Sequence, residues 1–536
     1  MIKCDFRTCN ADLTGCWKDP LGTVIPSEAR NLALKTMALR DSSSPATPRN
    51  DTLQGPFSCL LTVGALRVRS KLSRIFHKAH IARLVLVTAG LSVLGGICWQ
   101  AKGAVTLPHT TVRQLTLPNG LSACLIEDQQ SPVVDVQVWY HVGSKNEVPG
   151  RTGFAHLFEH LMFDGTTNIG AEDFSDYIIR SGGIDNAYTT EDTTVFWETT
   201  PSSQLPVVLW LEADRMRNLD ITQSVFNNER EVVEEERRLK FDNPPYGTVV
   251  ETLYEHAYSV HPYQHMTIGS MHDLDDARIE DIKDFYDTYY VPNNATLVIV
   301  GDLDPNEAES MIQKYFGPLA RGARLPANHI PQEPPQTAKR VVKLDLNVAL
   351  PAFIEGYHMP ADGTADAYPL RLASNILSEG ESSRIYRRLV YDKQIALEAE
   401  STGNFTEDPN LFFVFAVLNQ GHAPAEGEAE VGAELSRLKS QLVTDTELEK
   451  AKNETLRDFI LSRQTVQTRG EELGYAAVVL KDANLVNTEL ARFLAVTPAD
   501  IQRVAQKYFV PENMTLVEVY PKNAEGGGRR SGAGAE

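Results

Sequence analysis

A ten-residue stretch occurs twice in this chain. Tyr289-Tyr-Val-Pro-Asn-Asn-Ala-Thr-Leu-Val298 matches Tyr508-Phe-Val-Pro-Glu-Asn-Met-Thr-Leu-Val517 at seven of ten positions, 219 residues later. Each copy follows a helical segment beginning near Asp281-Ile282 or Asp500-Ile501, and each enters a β-branched, strand-like run. A helix-to-strand junction repeated at that distance is most simply explained by two copies of one α+β unit of about 200 residues. The length of 536 residues leaves room for two or three domains. A proline-rich stretch, residues 325–339 with Pro326, Pro331, Pro334 and Pro335, is a natural linker between the copies. The reading is therefore an α+β fold with one domain over residues 105–324 and a homologous one over 340–522. Within the first, Val134, Val136, Val138, Tyr140 and Val142 alternate in the manner of a half-buried strand.

The chemistry concentrates just after that strand, in Gly153-Phe-Ala-His-Leu-Phe-Glu-His-Leu-Met-Phe-Asp-Gly-Thr166. On a helix His156 and His160 share one face about one turn, roughly 6 Å, apart, a spacing that lets two imidazoles hold one metal ion. Glu159 leans over the same face. A carboxylate base beside a metal-activated water is the machinery of amide hydrolysis, and the order H-x-x-E-H is the inverted zinc-peptidase signature. Phe154, Leu157, Phe158, Leu161, Met162 and Phe163 surround the triplet with apolar side chains. Polar groups packed there without a partner cost on the order of a few kcal/mol, and a metal is such a partner. The bland alternative is a chance pattern of surface or core histidines.

Two neutral histidines leave tetrahedral zinc one protein ligand short if one position is kept for water. The candidate lies in Phe226-Asn-Asn-Glu-Arg-Glu-Val-Val-Glu-Glu-Glu-Arg-Arg-Leu239, which reads as a helix. Positions 229, 232, 233 and 236 share a face carrying Glu, Val, Val and Glu; positions 231, 234, 235 and 238 form a second face that reads as solvated charge. Periodicity favours Glu229 and Glu236 over their neighbours but does not say which would bind metal.

The segment from His156 to Thr166, with Glu236 placed 76 residues after His160, resembles the pitrilysin/insulysin zinc peptidases. It is most similar to the half-length branch that includes the mitochondrial processing peptidases and their bacterial relatives. The resemblance runs from about Leu115 to Lys522. It implies one Zn²⁺ per chain held by His156, His160 and Glu236, with Glu159 as general base and Glu229 supporting the catalytic site from behind the ligands. It also implies two α+β halves arranged as a clam shell around a chamber. Ser181-Gly-Gly-Ile-Asp-Asn-Ala-Tyr-Thr-Thr190 resembles the family's substrate-facing edge strand, where Asn186 and Ala187 would pair with an extended peptide; by itself Asn186 reads as a turn residue after Gly182-Gly183.

The second half carries no zinc motif. Its distinctive stretch, Gly380 to Ala399, reads as a helix leading into a strand. Full-length members of the family place there an arginine and, seven residues later, a tyrosine that grip the substrate; the aligned positions are Val390 and Leu397, and neither side chain can donate a hydrogen bond. Arg384 and Tyr386 have the wrong spacing and read as helix-surface residues. The expectation is a zinc-bearing endopeptidase subunit, acting on peptides or unfolded segments, whose homologous partner supplies the arginine–tyrosine pair. The alternative is a non-catalytic peptide-binding or scaffold subunit.

Residues 67–83 contain Arg67, Arg69, Lys71, Arg74, Lys78 and Arg83 with no acidic residue, followed by the apolar run Leu84 to Ile97 and the small-residue stretch Ala101-Lys-Gly-Ala104. This is the make-up of a secretory signal peptide over residues 67–104. It predicts a periplasmic or cell-envelope protein of a bacterium that touches membrane only through this segment, with an uncleaved anchor as the alternative. A reporter active only outside the cytoplasm should score when fused to residues 67–104, and a reporter that stays cytoplasmic would remove the assignment. Residues 1–66 lack clear periodicity and resemble translated repeat DNA, so the true start is expected downstream. Residues 523–536 have the composition of a disordered tail.

Cys124 is the single cysteine after residue 105, so neither an internal disulfide nor a Cys-x-x-Cys zinc site can be built there. Residues 1–104 carry 14 basic and 6 acidic residues, leaving 37 and 65 for the remainder, a formal charge of −28. Such a charge disfavours nucleic acid. His256, His261 and His265 cluster in a proline-bearing stretch that reads as a loop rather than a second metal site, and His141 reads as structural.

Overall fold

The repeated stretch marks corresponding places in two sheets. A computed structural model describes residues 108–522, apart from 172, 324 and 326–329; the expected extension, signal segment and tail lie outside the described residues. The first sheet contains β1 (Arg113–Thr116), β2 (Ser122–Glu127), β3 (Val133–Tyr140), β4 (Ile184–Thr189), β5 (Thr194–Pro201) and β6 (Ala295–Gly301), in the order β1-β2-β6-β3-β5-β4. The second contains β7 (Arg340–Leu346), β8 (Ala352–His358), β9 (Ala396–Gly403), β10 (Leu411–Leu418) and β11 (Met514–Pro521), in the order β7-β11-β8-β10-β9. Each sheet has a single parallel pair, β2 with β6 and β7 with β11, and is otherwise antiparallel. The second order is therefore the first without β1.

The repeat makes the same bonds in both halves. Asn294 Nδ2 donates to the carbonyls of Tyr289 (2.9 Å) and His141 (3.3 Å), and Asn513 Nδ2 donates to those of Tyr508 (2.9 Å) and His358 (2.8 Å). In each copy an asparagine ties the end of a helix to the end of a central strand. The α+β reading, with two homologous halves, holds.

Helices of the first half are α1 (Phe154–Leu161), α2 (Asp173–Arg180), α3 (Leu205–Asn218), α4 (Gln223–Arg237), α5 (Val249–Ala257), α6 (Met271–Asp275), α7 (Ile279–Tyr289) and α8 (Pro305–Phe316). Those of the second are α9 (Ala367–Ser378), α10 (Pro424–Ser440), α11 (Asp445–Leu461), α12 (Val466–Val478), α13 (Leu485–Ala495) and α14 (Pro498–Tyr508). Each half lends a helix to the other. α12 covers the far face of the first sheet, packing on β3 and β6, and α5 covers that of the second, packing on β8 and β11.

Glycines set both contacts. A Cβ on Gly474 of α12 would come within 2.1 Å of the Trp139 ring, and one on Gly356 of β8 would meet Leu253 of α5 at 3.1 Å. The large residue stands on the sheet in one half and on the helix in the other. This exchange corrects the half-buried reading of β3: Asp135, Gln137 and Trp139, on the face expected to be wet, are buried beneath α12. Their polar atoms are satisfied in place. Gln137 Nε2 donates to Asp135 Oδ2 (2.7 Å) and the Gln467 carbonyl (2.9 Å), Trp139 Nε1 donates to Gln137 Oε1 (2.9 Å), and Thr199 Oγ1 donates to Asp135 Oδ1 (2.6 Å). The described part of the proline-rich stretch is likewise anchored, since the Glu333 carboxylate accepts the backbone N–H groups of Ser259, Val260 and His261.

Candidate metal centre

Helix α1 starts where Gly153, at φ 93°, turns the chain. A side chain there would be strained by the left-handed backbone and would meet the Ile268 carbonyl at 2.7 Å. Gly153 has no side chain to cap the helix, and Glu147 does so from six residues upstream: its carboxylate, buried in the fold, accepts the N–H groups of Gly153 (2.9 Å) and Ala155 (2.8 Å). The apolar side of α1 (Phe154, Leu157, Phe158 and Leu161) packs into the core. Phe158 stacks on Tyr290, the second residue of the first repeated stretch, with ring centroids 4.8 Å apart. His156, Glu159 and His160 are left on the opposite side, turned toward α4 and β4.

Across from them, α4 presents Glu229 and Glu236. The His156 and His160 rings lie 5.0 Å apart, and Glu236 Oε2 stands 3.6 Å from His156 Nε2 and 3.4 Å from His160 Nε2. One ligand atom from each of these three residues falls within 4.8 Å of the others, the one such group among the described residues. Zinc bonds of about 2.0–2.1 Å in a tetrahedron put ligand atoms roughly 3.3 Å apart. The two separations to Glu236 are close to that edge and the third lies within 4.8 Å, so this donor set fits zinc. Glu229 touches the other nitrogen of His160, Oε2 to Nδ1 at 3.4 Å. A carboxylate at that nitrogen can fix the orientation of the ring, and Glu229 is not in the group of three donors. Lys240 pairs with the second oxygen of Glu236.

Electrostatics divides the two histidines. Burial pulls His156 down to about 4, so its ring is neutral and ready to coordinate. Burial also pulls on His160, but hydrogen bonds to Glu229 and Glu236 outweigh it and hold the imidazolium up to about 9. Glu236 is resisted by burial yet brought down to about 2 by His160, His156 and Lys240. Without metal, a proton on His160 is held between the two carboxylates, and coordination in the neutral form expected above requires its release. Burial raises Glu159 above the ordinary glutamate range, against a hydrogen bond from Thr189, whose Oγ1 donates to Glu159 Oε2 at 2.6 Å.

The face assignment on α4 needs two corrections. Val232, placed on the metal-facing side, is 43% exposed, and Glu234, placed on the solvated side, is buried and pairs with Arg230 and Arg238. The helix is rotated so that Phe226, Val233 and Arg237 point inward. Glu229 and Glu236 flank that stripe, while Val232 and Glu234 lie to either side of it. Arg237 is spent on Glu251 and the Gly269 carbonyl.

Asn186 and Ala187 lie on β4, the open edge of the first sheet, so the strand reading holds over the turn reading. Asn186 Oδ1 accepts the Ala187 N–H (2.9 Å), a group not used in the ladder with β5. In the second half, Val390 packs partly buried on the core and Leu397, on the edge strand β9, is 61% exposed. Arg384 is not a free surface residue: it pairs through two bonds with Glu447 at the start of α11 (2.7 and 3.1 Å). His256, His261 and His265 form no metal group among the described residues, and His141 Nε2 pairs with Glu407 of the second half (2.7 Å).

Sequence reasoning missed Thr189. Strand alternation was the available signal, since Ala187 and Thr189 share a face of β4.

The chain is similar to known proteins along most of its described length. The family described as "Insulinase (Peptidase family M16)" matches residues 123–270, and the one described as "Peptidase M16 inactive domain" matches residues 276–455. The zinc protease PqqE of Helicobacter pylori is 34% identical over 448 residues, covering 82% of this chain and 99% of that protein. A probable mitochondrial-processing peptidase subunit beta of Arabidopsis thaliana is 23% identical, over 78% of this chain and 79% of that one. The crystal structure of a protease from Helicobacter pylori superposes with a TM-score of 0.74 at 32% identity, covering 77% of this chain and all of that chain.

Proposed function

Because this chain belongs to the M16 peptidase family, we propose that it is a zinc-dependent endopeptidase hydrolysing peptides or unfolded polypeptide segments, with one Zn²⁺ held by His156, His160 and Glu236. The observation that carries this reading is the meeting of three donor atoms within 4.8 Å of one another with a half-buried carboxylate, Glu159, on the same helix face. When bound, zinc supplies Lewis acidity, lowering the pKa of water and polarising the scissile carbonyl. Glu159 takes the proton of the attacking water and returns it to the leaving nitrogen. Glu229 keeps His160 in register through its second ring nitrogen.

The substrate enters as an added strand on β4. Its carbonyl would replace the Asn186 side chain on the Ala187 N–H, freeing the asparagine amide for the peptide. The gripping pair comes from a second, homologous chain carrying arginine and tyrosine, since Val390 and Leu397 offer no donor. The same two residues favour the alternative, a non-catalytic peptide-binding subunit, if no partner completes the site.

A quenched-fluorescence peptide library, assayed with and without such a homologue, tests the proposal. Hydrolysis is expected to stop on chelation and return with zinc. Zinc affinity should weaken as the pH falls below about 9, because His160 must give up its proton to coordinate. No hydrolysis under any of these conditions, in a chain that holds zinc, would leave the peptide-binding alternative.

A further inference from the structure

We propose that Thr189 positions the base, holding the Glu159 carboxylate against the metal face through its hydroxyl; this rests on the peptidase reading above. Thr189 is the last residue of β4, and its Oγ1 lies 2.6 Å from Glu159 Oε2. A threonine hydroxyl has one proton to give, and here it goes to a carboxylate in a sheltered site, where a hydrogen bond to an ionised acceptor is short and strong.

What makes the hydroxyl a fixed point is the turn that follows it. The Thr190 carbonyl accepts the Ser144 N–H (3.2 Å) and the Glu191 carbonyl accepts the Lys145 N–H (3.0 Å). The Asp192 carboxylate takes Lys145 Nζ (2.9 Å), Tyr263 Oη (2.6 Å) and the Glu407 N–H (2.8 Å). Lys145, almost wholly buried, continues to Glu407 (2.7 Å) and Asp408 (3.1 Å) of the second half. The β4–β5 turn is thus clamped by both halves, and Thr189 inherits that rigidity. β4 is also the edge to which a peptide would add. One strand therefore sets the base and the substrate in a common frame, which ties the second half, without metal ligands of its own, to the geometry of the first.

The test is Thr189→Val, which keeps the shape and removes the hydroxyl, beside Thr189→Ser, which keeps the hydroxyl. With zinc and partner present, Thr189→Val should lose about tenfold or more in kcat with KM within about twofold, as for loss of an interaction that matters in the transition state. Zinc should remain at one per chain, and Thr189→Ser should recover most of the rate. Thr189→Ala serves in the same comparison if the valine variant does not fold. Wild-type kcat in Thr189→Val, or equal loss in the serine variant, would overturn the role of the hydroxyl while leaving the peptidase reading intact. A wild-type chain that hydrolyses nothing would overturn both.

Discussion

Glu159→Gln is expected to keep its zinc and lose hydrolysis by several orders of magnitude. The substitution preserves the volume of a residue packed between α1 and β4, and its amide oxygen can still accept from Thr189 Oγ1. What it removes is the ability to take a proton from water and deliver it to nitrogen, a contribution of about 10² to 10⁴ in rate. His156, His160 and Glu236 are untouched, so metal content separates loss of the base from loss of the site. Measured with zinc analysis and peptide turnover on the same preparation, retention of rate within tenfold would move the base elsewhere.

The second large effect concerns the partner. The chain alone is expected to hydrolyse peptides weakly, and adding a homologue with arginine and tyrosine at the positions of Val390 and Leu397 should raise the rate by about 10² to 10³, the usual worth of a donor to the developing oxyanion. A second copy of this chain cannot do so, because Val390 and Leu397 are the same in both. Full activity from the purified chain, unaffected by the homologue, would mean that another group stabilises the carbonyl oxygen. Lys240 would then be the first to examine, since its ammonium already reaches the second oxygen of Glu236.

The duplication was legible because the repeated stretch makes the same asparagine bridge in each half. The pairing of His156 and His160 with Glu236 was legible because helical spacing and a family resemblance converge on the same residues. Other features depend on contacts between residues far apart in sequence. The burial of Asp135 and Gln137 depends on α12, more than 300 residues later, and no local alternation reports a helix arriving from the other half. The orientation of α4 that buries Glu234 and exposes Val232 goes with turning Phe226, Val233 and Arg237 inward, and Glu234 is paired there with Arg230 and Arg238, partners that a periodic pattern does not name. Thr189 was overlooked for a related reason: its role lies in one atom meeting Glu159 across a strand-to-helix contact.

The most direct test of the whole account is a zinc titration of the metal-free chain beside Glu236→Gln and Glu235→Gln. Both carboxylates are on α4, but Glu236 faces the two histidines, while Glu235 is exposed and pairs with Arg238 (3.2 Å). One zinc per chain is expected in the wild type and in Glu235→Gln, with affinity sharply weakened in Glu236→Gln. Unchanged zinc affinity in Glu236→Gln, with the loss appearing in Glu235→Gln instead, would contradict the site described here.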